Sequence, residues 1–184
     1  MTLTFHEPAF IGLLMVISGG QIGADQGGIH AAYEMGVQTG GIAPLHFRTW
    51  AGNNPELGNK YGLTADTSYM YGPRTRRNVE RSDATLIIAT NLASPGCRMT
   101  IKFANELERP CYKFQLERDM TNNSLLSSVP ELVLWIKKHR VTILNVAGNR
   151  DMHGDLFHYH MTYKFITGIL LELDNQGLLI TDVL

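Results

Sequence analysis

Apolar positions along this chain occur in two alternating patterns. Short continuous runs at residues 13–18 (LLMVIS), 84–89 (ATLIIA) and 141–147 (VTILNVA) are separated by stretches where apolar residues recur every three or four positions. A continuous run of this length suits a strand buried on both faces, and the longer recurrence marks a helix with one buried face. The pattern predicts strands at 13–18, 39–43, 84–89, 111–114 and 141–147. It predicts helices at 24–35, 76–81, 100–108, 130–139 and 159–173, with Gly36 placed to cap the first. Strand–helix alternation of this kind implies an α/β fold, a mostly parallel sheet flanked by helices. No linker divides residues 1–184, so one domain is expected. Residues 44–71, rich in Gly, Asn and Pro, read as a long loop of little regular structure, and such loops are usually functional. The tail 178–184 is apolar enough to pack on the body or on a neighbouring subunit.

Composition narrows the class without naming it. Of 184 residues, 44% are hydrophobic and 18% charged, which excludes general disorder. Sixteen basic against seventeen acidic residues leave a net charge of −1, so bulk charge does not drive nucleic-acid binding. Two cysteines, Cys97 and Cys111, make no disulfide framework and match no zinc spacing, so a reducing, cytoplasmic setting is expected. The apolar run 10–17 is too short to span a bilayer. It is preceded by Glu7 and by no Lys or Arg, unlike a secretory signal.

Candidate chemistry lies in the turns at the ends of three strands. The first strand runs into Ser18-Gly19-Gly20-Gln21-Ile22-Gly23-Ala24-Asp25, the third into Ser94-Pro95-Gly96-Cys97-Arg98-Met99-Thr100, and the last into Gly148-Asn149-Arg150. A parallel sheet brings all strand C-termini to one edge, the edge where open α/β sheets bind ligands. Glycine permits close backbone approach and helix N-termini present free N–H groups, which together suit a phosphate. Neither the full dinucleotide fingerprint nor a Walker lysine is present. Arg98 and Arg150 sit inside the turns, and Arg48 lies in the long loop. Arg74, Arg76, Arg77 and Arg81 come just after that loop, as anion ligands or as a solvated helix face paired with Glu80.

The same segments carry a resemblance. SGGQ-x-G-x-D, R-x-R-x-N-V-x-x-S-D-A-T-L-I-I at 74–88, P-G-x-x-x-T at 95–100 and L-N-V-A-G-x-R at 144–150 occur together. Over about residues 12–170 the chain resembles the putative molybdenum carrier family. That family is the circularly permuted branch of the SLOG superfamily, related to the lonely-guy phosphoribohydrolases. The resemblance implies a Rossmann-like fold, a nucleotide or molybdopterin-type ligand, and homodimers or homotetramers. It places Gly19, Gly20, Gln21, Gly23 and Asp25 in the first ligand loop, Gly96 and Thr100 in the second, and Gly148 and Arg150 in the third. Arg74 and Asn78 match its basic segment. Two departures stand out. Gln26 replaces the arginine common after the aspartate, and Ile101, Lys102 and Phe103 occupy the turn where the phosphoribohydrolases carry a glutamate. Glu106 lies further along that helix.

The expected function is therefore binding of a phosphorylated nucleotide-like or pterin-like molecule. Capture of a nucleotide-derived signal, of cyclic nucleotide or ADP-ribose type, needs the same pocket. N-glycosidic cleavage of a nucleoside monophosphate would rest on Asp25 as general base, the alternative for Asp25 being a carboxylate favoured by its own helix dipole. Asp151, His153, Asp155, His158 and His160 are dense in metal-ligand types but match no standard site, and a polar loop beside a helix start is the preferred reading. Cys97 before a helix is read as a small buried side chain rather than a reactive thiolate. Trp50, Tyr61, Tyr69 and Tyr71 are candidates to stack on a base or to pack the loop.

Overall fold

The computed structural model describes residues 10–181. Glu7, and positions 182–184 of the tail, lie outside the described residues. Among the described residues the strands, in chain order, are β1 Met15–Ser18, β2 Gln38–Gly40, β3 Ile42–Ala43, β4 Arg48–Thr49, β5 Gly52–Asn53, β6 Thr64–Ala65, β7 Ala84–Ala89, β8 Cys111–Gln115 and β9 Ile143–Gly148. The helices are α1 Ala24–Glu34, α2 Glu56–Asn59, α3 Tyr71–Arg81, α4 Pro95–Glu106, α5 Asn122–Ser127, α6 Val129–Lys138 and α7 Phe157–Asn175. The main sheet has the order β2-β1-β9-β7-β8 and is parallel throughout. The architecture is α/β and Rossmann-like.

The last strand in the chain, β9, is inserted between β1 and β7. From that centre the crossover through α1 runs outward to β2, and the crossover through α4 runs outward the other way to β8. With both crossovers right-handed, opposite directions put the two helices on opposite faces. Accordingly α1 packs with α7, which also holds α5 and α6, while α4 packs with α3.

Strand β7 shows why the continuous runs read as doubly buried. All six of its residues are buried. Ala84, Leu86 and Ile88 join the cluster formed with Phe165, Ile169 and Leu173 of α7, whereas Ile87 and Ala89 meet Cys97 of α4. The two-residue alternation of side chains serves two cores at once.

Several boundaries differ from expectation for identifiable reasons. Helix α4 begins five residues earlier than the apolar period shows, because Ser94 caps it, accepting from the Cys97 N–H, and Pro95 takes the first-turn place that a proline tolerates. Helix α3 likewise starts at Tyr71, with Pro73 in its first turn. The strand expected at 39–43 is two, divided at Gly41, whose φ of 120° turns the chain out of the main sheet. Segment 44–71 is more ordered than expected: β3 pairs with β6, β4 with β5, and α2 intervenes. Leu57, Tyr61 and Leu63 of this segment close over Ile29 and Ala43 as a separate small core. The start of the tail packs on the body, where Leu13 pairs with Leu179. Among the described residues no helix is long and apolar enough to cross a membrane.

Register between β7 and β9 is held at its start by one carboxylate. Asp83 Oδ2 accepts from the Thr142 N–H (2.8 Å), the Thr142 hydroxyl (2.6 Å) and the Ile143 N–H (2.8 Å). Partial burial raises this carboxyl's pKa, but these hydrogen bonds outweigh it and the net shift is downward from 3.8. A depressed folded pKa means stability that is present above the unfolded value and lost as pH falls through the folded one. Asp83→Ala is expected to cost about 1–3 kcal/mol at neutral pH. In thermal melts, that deficit relative to the parent should narrow below pH 3.8.

Candidate functional site

All three glycine-bearing turns lie at the C-terminal edge of the sheet, around the point where the crossovers diverge. Gln21 and Asp25 from the first, Asn91, Ser94 and Gly96 from the second, and Ala147, Gly148, Asn149 and Arg150 from the third border one cavity of about 490 Å³. Tyr71, Arg74 and Thr75 of α3 and Met99 and Thr100 of α4 form another wall. The volume falls within the range of roughly 300–1,000 Å³ usual for small-molecule sites.

Backbone hydrogen bonds stitch the turns together. Ala24 N–H donates to Asn149 O (3.1 Å) and Asp151 N–H to Ile22 O (3.0 Å), so the third turn lies directly on the first. The Asn149 side chain fastens the third turn to the second. Its Oδ1 accepts from Asn91 N–H (2.8 Å), and its Nδ2 donates to Asn91 O (3.2 Å) and Ser94 Oγ (3.1 Å).

Asp25 and Arg74 form the buried electrostatic element of the wall. Asp25 is 6% exposed and Arg74 9%. Asp25 Oδ2 accepts from Gln21 N–H at 3.2 Å and lies 3.5 Å from Arg74 Nη1. Burial pushes the Asp25 carboxyl above the ordinary aspartate value, and Arg74 with the Gln21 and Gly148 amides offsets only part of that. The Arg74 Nε has no hydrogen-bond partner among the described residues.

The glycines divide by what approaches them. A Cβ on Gly19 would lie 1.3 Å from Arg74 Nη1, so the guanidinium occupies the space a side chain would need. A Cβ on Gly148 would lie 1.9 Å from Ile88 O, on the neighbouring strand. Gly20 faces Leu57 and Leu63 of the loop core, and Gly23 faces the backbone of the third turn. Gly96 is different: nothing stands within 4 Å of its Cβ position, and it borders the cavity.

The remaining sequence candidates are divided between the cavity, the wall behind it and the surface. Thr100 borders the cavity and donates to Gly96 O (3.0 Å). Gln21 borders it while its amide donates to Arg48 O (2.9 Å), tying loop to turn. Asn78 sits behind the wall, its amide paired both ways with the Ile42 backbone at 2.8 and 3.0 Å. Arg48 and Arg98 are exposed and do not border the cavity, and the Arg48 guanidinium lies 6.0 Å over the Tyr69 ring. Of the basic segment only Arg74 reaches it. Arg76 pairs with Glu80 and Glu106, and Arg77 with the buried Asp66. Glu106 is therefore committed on the surface, and Asp25 is the one carboxylate among the described residues bordering the cavity. Gln26 is buried and donates to Gly20 O (3.0 Å), a structural use for the position where arginine is common.

The aromatic and metal-ligand candidates disperse. Tyr71 borders the cavity, whereas Tyr61 stacks on His30, and Trp50 lies against His153. Asp155 pairs with Arg118, and Asp151 with His158. Burial pushes the Cys97 thiol upward, and that of Cys111 up to about 11. Asn149, Met152 and His158 border the cavity without having been singled out as ligand contacts from sequence. For Asn149 the available signal is its place within the third turn.

A parallel doubly wound sheet with a cavity at the divergence of its crossovers defines a Rossmann-like α/β protein with a small-molecule-sized cleft. The match to the circularly permutated YpsA SLOG family extends over residues 16–170, and the chain belongs to that family. The fold is similar to the crystal structure of a putative molybdenum carrier protein from Syntrophus aciditrophicus SB. The two are 30% identical with a TM-score of 0.77, over 86% of this chain and 96% of that one. No curated protein matches the chain.

Removing one member of a buried ion pair leaves an uncompensated charge. Arg74→Met is expected to destabilise the protein by about 3–5 kcal/mol at neutral pH. Without the cation Asp25 holds its proton to still higher pH, so the deficit should shrink as pH falls toward the ordinary aspartate range and grow above it. Denaturant melts across pH check this, and a deficit independent of pH would contradict the pairing. Gly19→Ala should displace the same guanidinium and lower the midpoint in the same direction.

Proposed function

We propose that this protein binds a phosphorylated nucleotide-like or pterin-like small molecule in the cavity at the sheet edge. The carrying observation is the Arg74 side chain: a guanidinium nine-tenths buried on the cavity wall, with an Nε that no described residue satisfies. A buried donor without a partner costs free energy, and a ligand acceptor supplies one. The first turn of α4 at Gly96 and the exposed Arg150 add the helix-dipole and charge features that favour a phosphate. Tyr71, Met99 and Met152 offer apolar surface to the organic part. The name of the Syntrophus protein, a putative molybdenum carrier, supports a molybdopterin-type ligand. With this reading go a cytoplasmic location and a homodimeric or homotetrameric state, both implied by sequence and family resemblance.

Gly96 provides the test. The space at its Cβ is open, so Gly96→Val should fold normally while projecting a branched side chain toward the phosphate position. Protein purified, denatured and examined by ultraviolet spectrum and mass spectrometry should release a nucleotide or pterin near one per chain. Gly96→Val should release little, with an unchanged thermal midpoint, and calorimetry should show at least about tenfold weaker binding, about 1.4 kcal/mol. Equal affinity in parent and variant would contradict the placement of the phosphate.

A further inference from the structure

The acid–base residues at the opposite wall are not used by the binding reading. Asp151 is 2% exposed and accepts three hydrogen bonds at the start of α7. These come from His158 N–H (3.0 Å) and His158 Nδ1 (2.7 Å) to Oδ1, and from Tyr159 N–H (2.8 Å) to Oδ2. The carboxylate is thus a helix cap and an imidazole anchor together. In the tautomer that donates from Nδ1 to Asp151, Nε2 is left as an acceptor. His158 Nε2 stands 3.0 Å from Thr90 Oγ1. Thr90 is half-buried, comes immediately after β7, and also lies 3.3 Å from Asn149 Oδ1. It is bonded to two residues that border the cavity, Asn149 and His158, and precedes a third, Asn91.

Hydroxyl, imidazole and carboxylate in series are the arrangement by which a weak alcohol becomes a nucleophile. Unlike the metal-ligand reading of the same His and Asp residues, it requires only the two contacts present. We propose that Thr90, His158 and Asp151 form an acyl-transfer site that hydrolyses a carboxylic ester reaching Thr90 beside the cavity, which His158 borders and Thr90 does not. Thr90 and His158 are the catalytic residues, and Asp151 is a positioning residue.

Thr90 Oγ attacks the ester carbonyl carbon, and its proton passes to His158 Nε2. Collapse of the tetrahedral adduct breaks the bond to the alcohol oxygen, which leaves with the proton from Nε2. Water then attacks the acyl-threonine, again giving a proton to Nε2. Nε2 returns it to Thr90 Oγ as the acid departs. The balance is ester plus water to acid plus alcohol, with no redox change. A tetrahedral adduct develops one negative charge. Arg150, which borders the cavity and is not paired with Asp25, can face that charge. The proposal does not depend on the identity of the ligand in the binding reading.

The test uses the intact chain and p-nitrophenyl acetate. Release of p-nitrophenolate should be accompanied by an acetyl adduct that peptide mass spectrometry places on Thr90. Thr90→Val, which keeps the shape of the side chain, should lose the adduct and at least about 100-fold of the rate. Thr90→Ser should retain both, which guards against a simple folding defect. His158→Gln should lower the rate by at least about 100-fold as well. Acetylation confined to other residues, or a rate unchanged in Thr90→Val, would overturn the proposal. It would leave the phosphate reading untouched, because that is probed separately at Gly96.

Discussion

Insertion of β9 between β1 and β7 is the constraint on which the rest of this structure depends. It makes the last strand of the sheet its centre and drives the two crossovers apart, so α1 and α4 sit on opposite faces. Divergence of neighbouring crossovers opens a crevice that no connecting segment covers, and ligand sites of open sheets lie there. The same insertion brings the turn after β9 between the other two. Without it Asn149 could not bond Asn91 and Ser94 while its backbone received Ala24. Asp83, gripping Thr142 and Ile143, sets where that strand enters.

The cavity wall is built from opposed requirements. Arg74 is kept nearly dry by the close approach of Gly19, and a dry guanidinium needs a counter-charge, which Asp25 supplies. Asp25 in turn has its pKa raised by burial, which the attraction of Arg74, the largest opposing effect, offsets only in part. Such a pair is poor evidence for stability and better evidence for a position that has to be polar. Across the cavity, Asp151 and His158 are also buried, but their hydrogen-bonding groups are satisfied within the protein. One wall thus retains an unpaired donor, and the other is organised around proton position.

The three central strands of the main sheet, β1, β7 and β9, could be read from sequence because they are continuous apolar runs, and the long helices because they are periodic. Residues 44–71 could not be read in the same way. Their strands are two residues long, and what orders them is a non-local cluster with Ile29 and Ala43. His46 and Phe47 even take positive φ values, which no local preference announces. The glycine turns were legible as a place, the sheet edge, but less so as contacts. Glycine at 19 and 148 hints at a close approach without showing that Arg74 and the Ile88 carbonyl are the groups that approach. The arginine-rich stretch was similarly ambiguous, because Arg74, Arg76 and Arg77 diverge around helix α3 to different partners. Asp151 and His158 were visible only as members of a polar run. Their pairing arises from the helix that starts between them.

The central claim, that the crevice beside β9 is the ligand site, is tested most directly by amide proton–nitrogen spectra. These would be recorded while titrating adenine and guanine nucleoside monophosphates and a phosphorylated pterin. Shifts are expected to concentrate at Gln21, at Gly96 to Thr100, and at Gly148 to Met152. Shifts from one of these molecules confined to the outer faces of α5 and α6, or a response from none of them at saturating concentration, would contradict it.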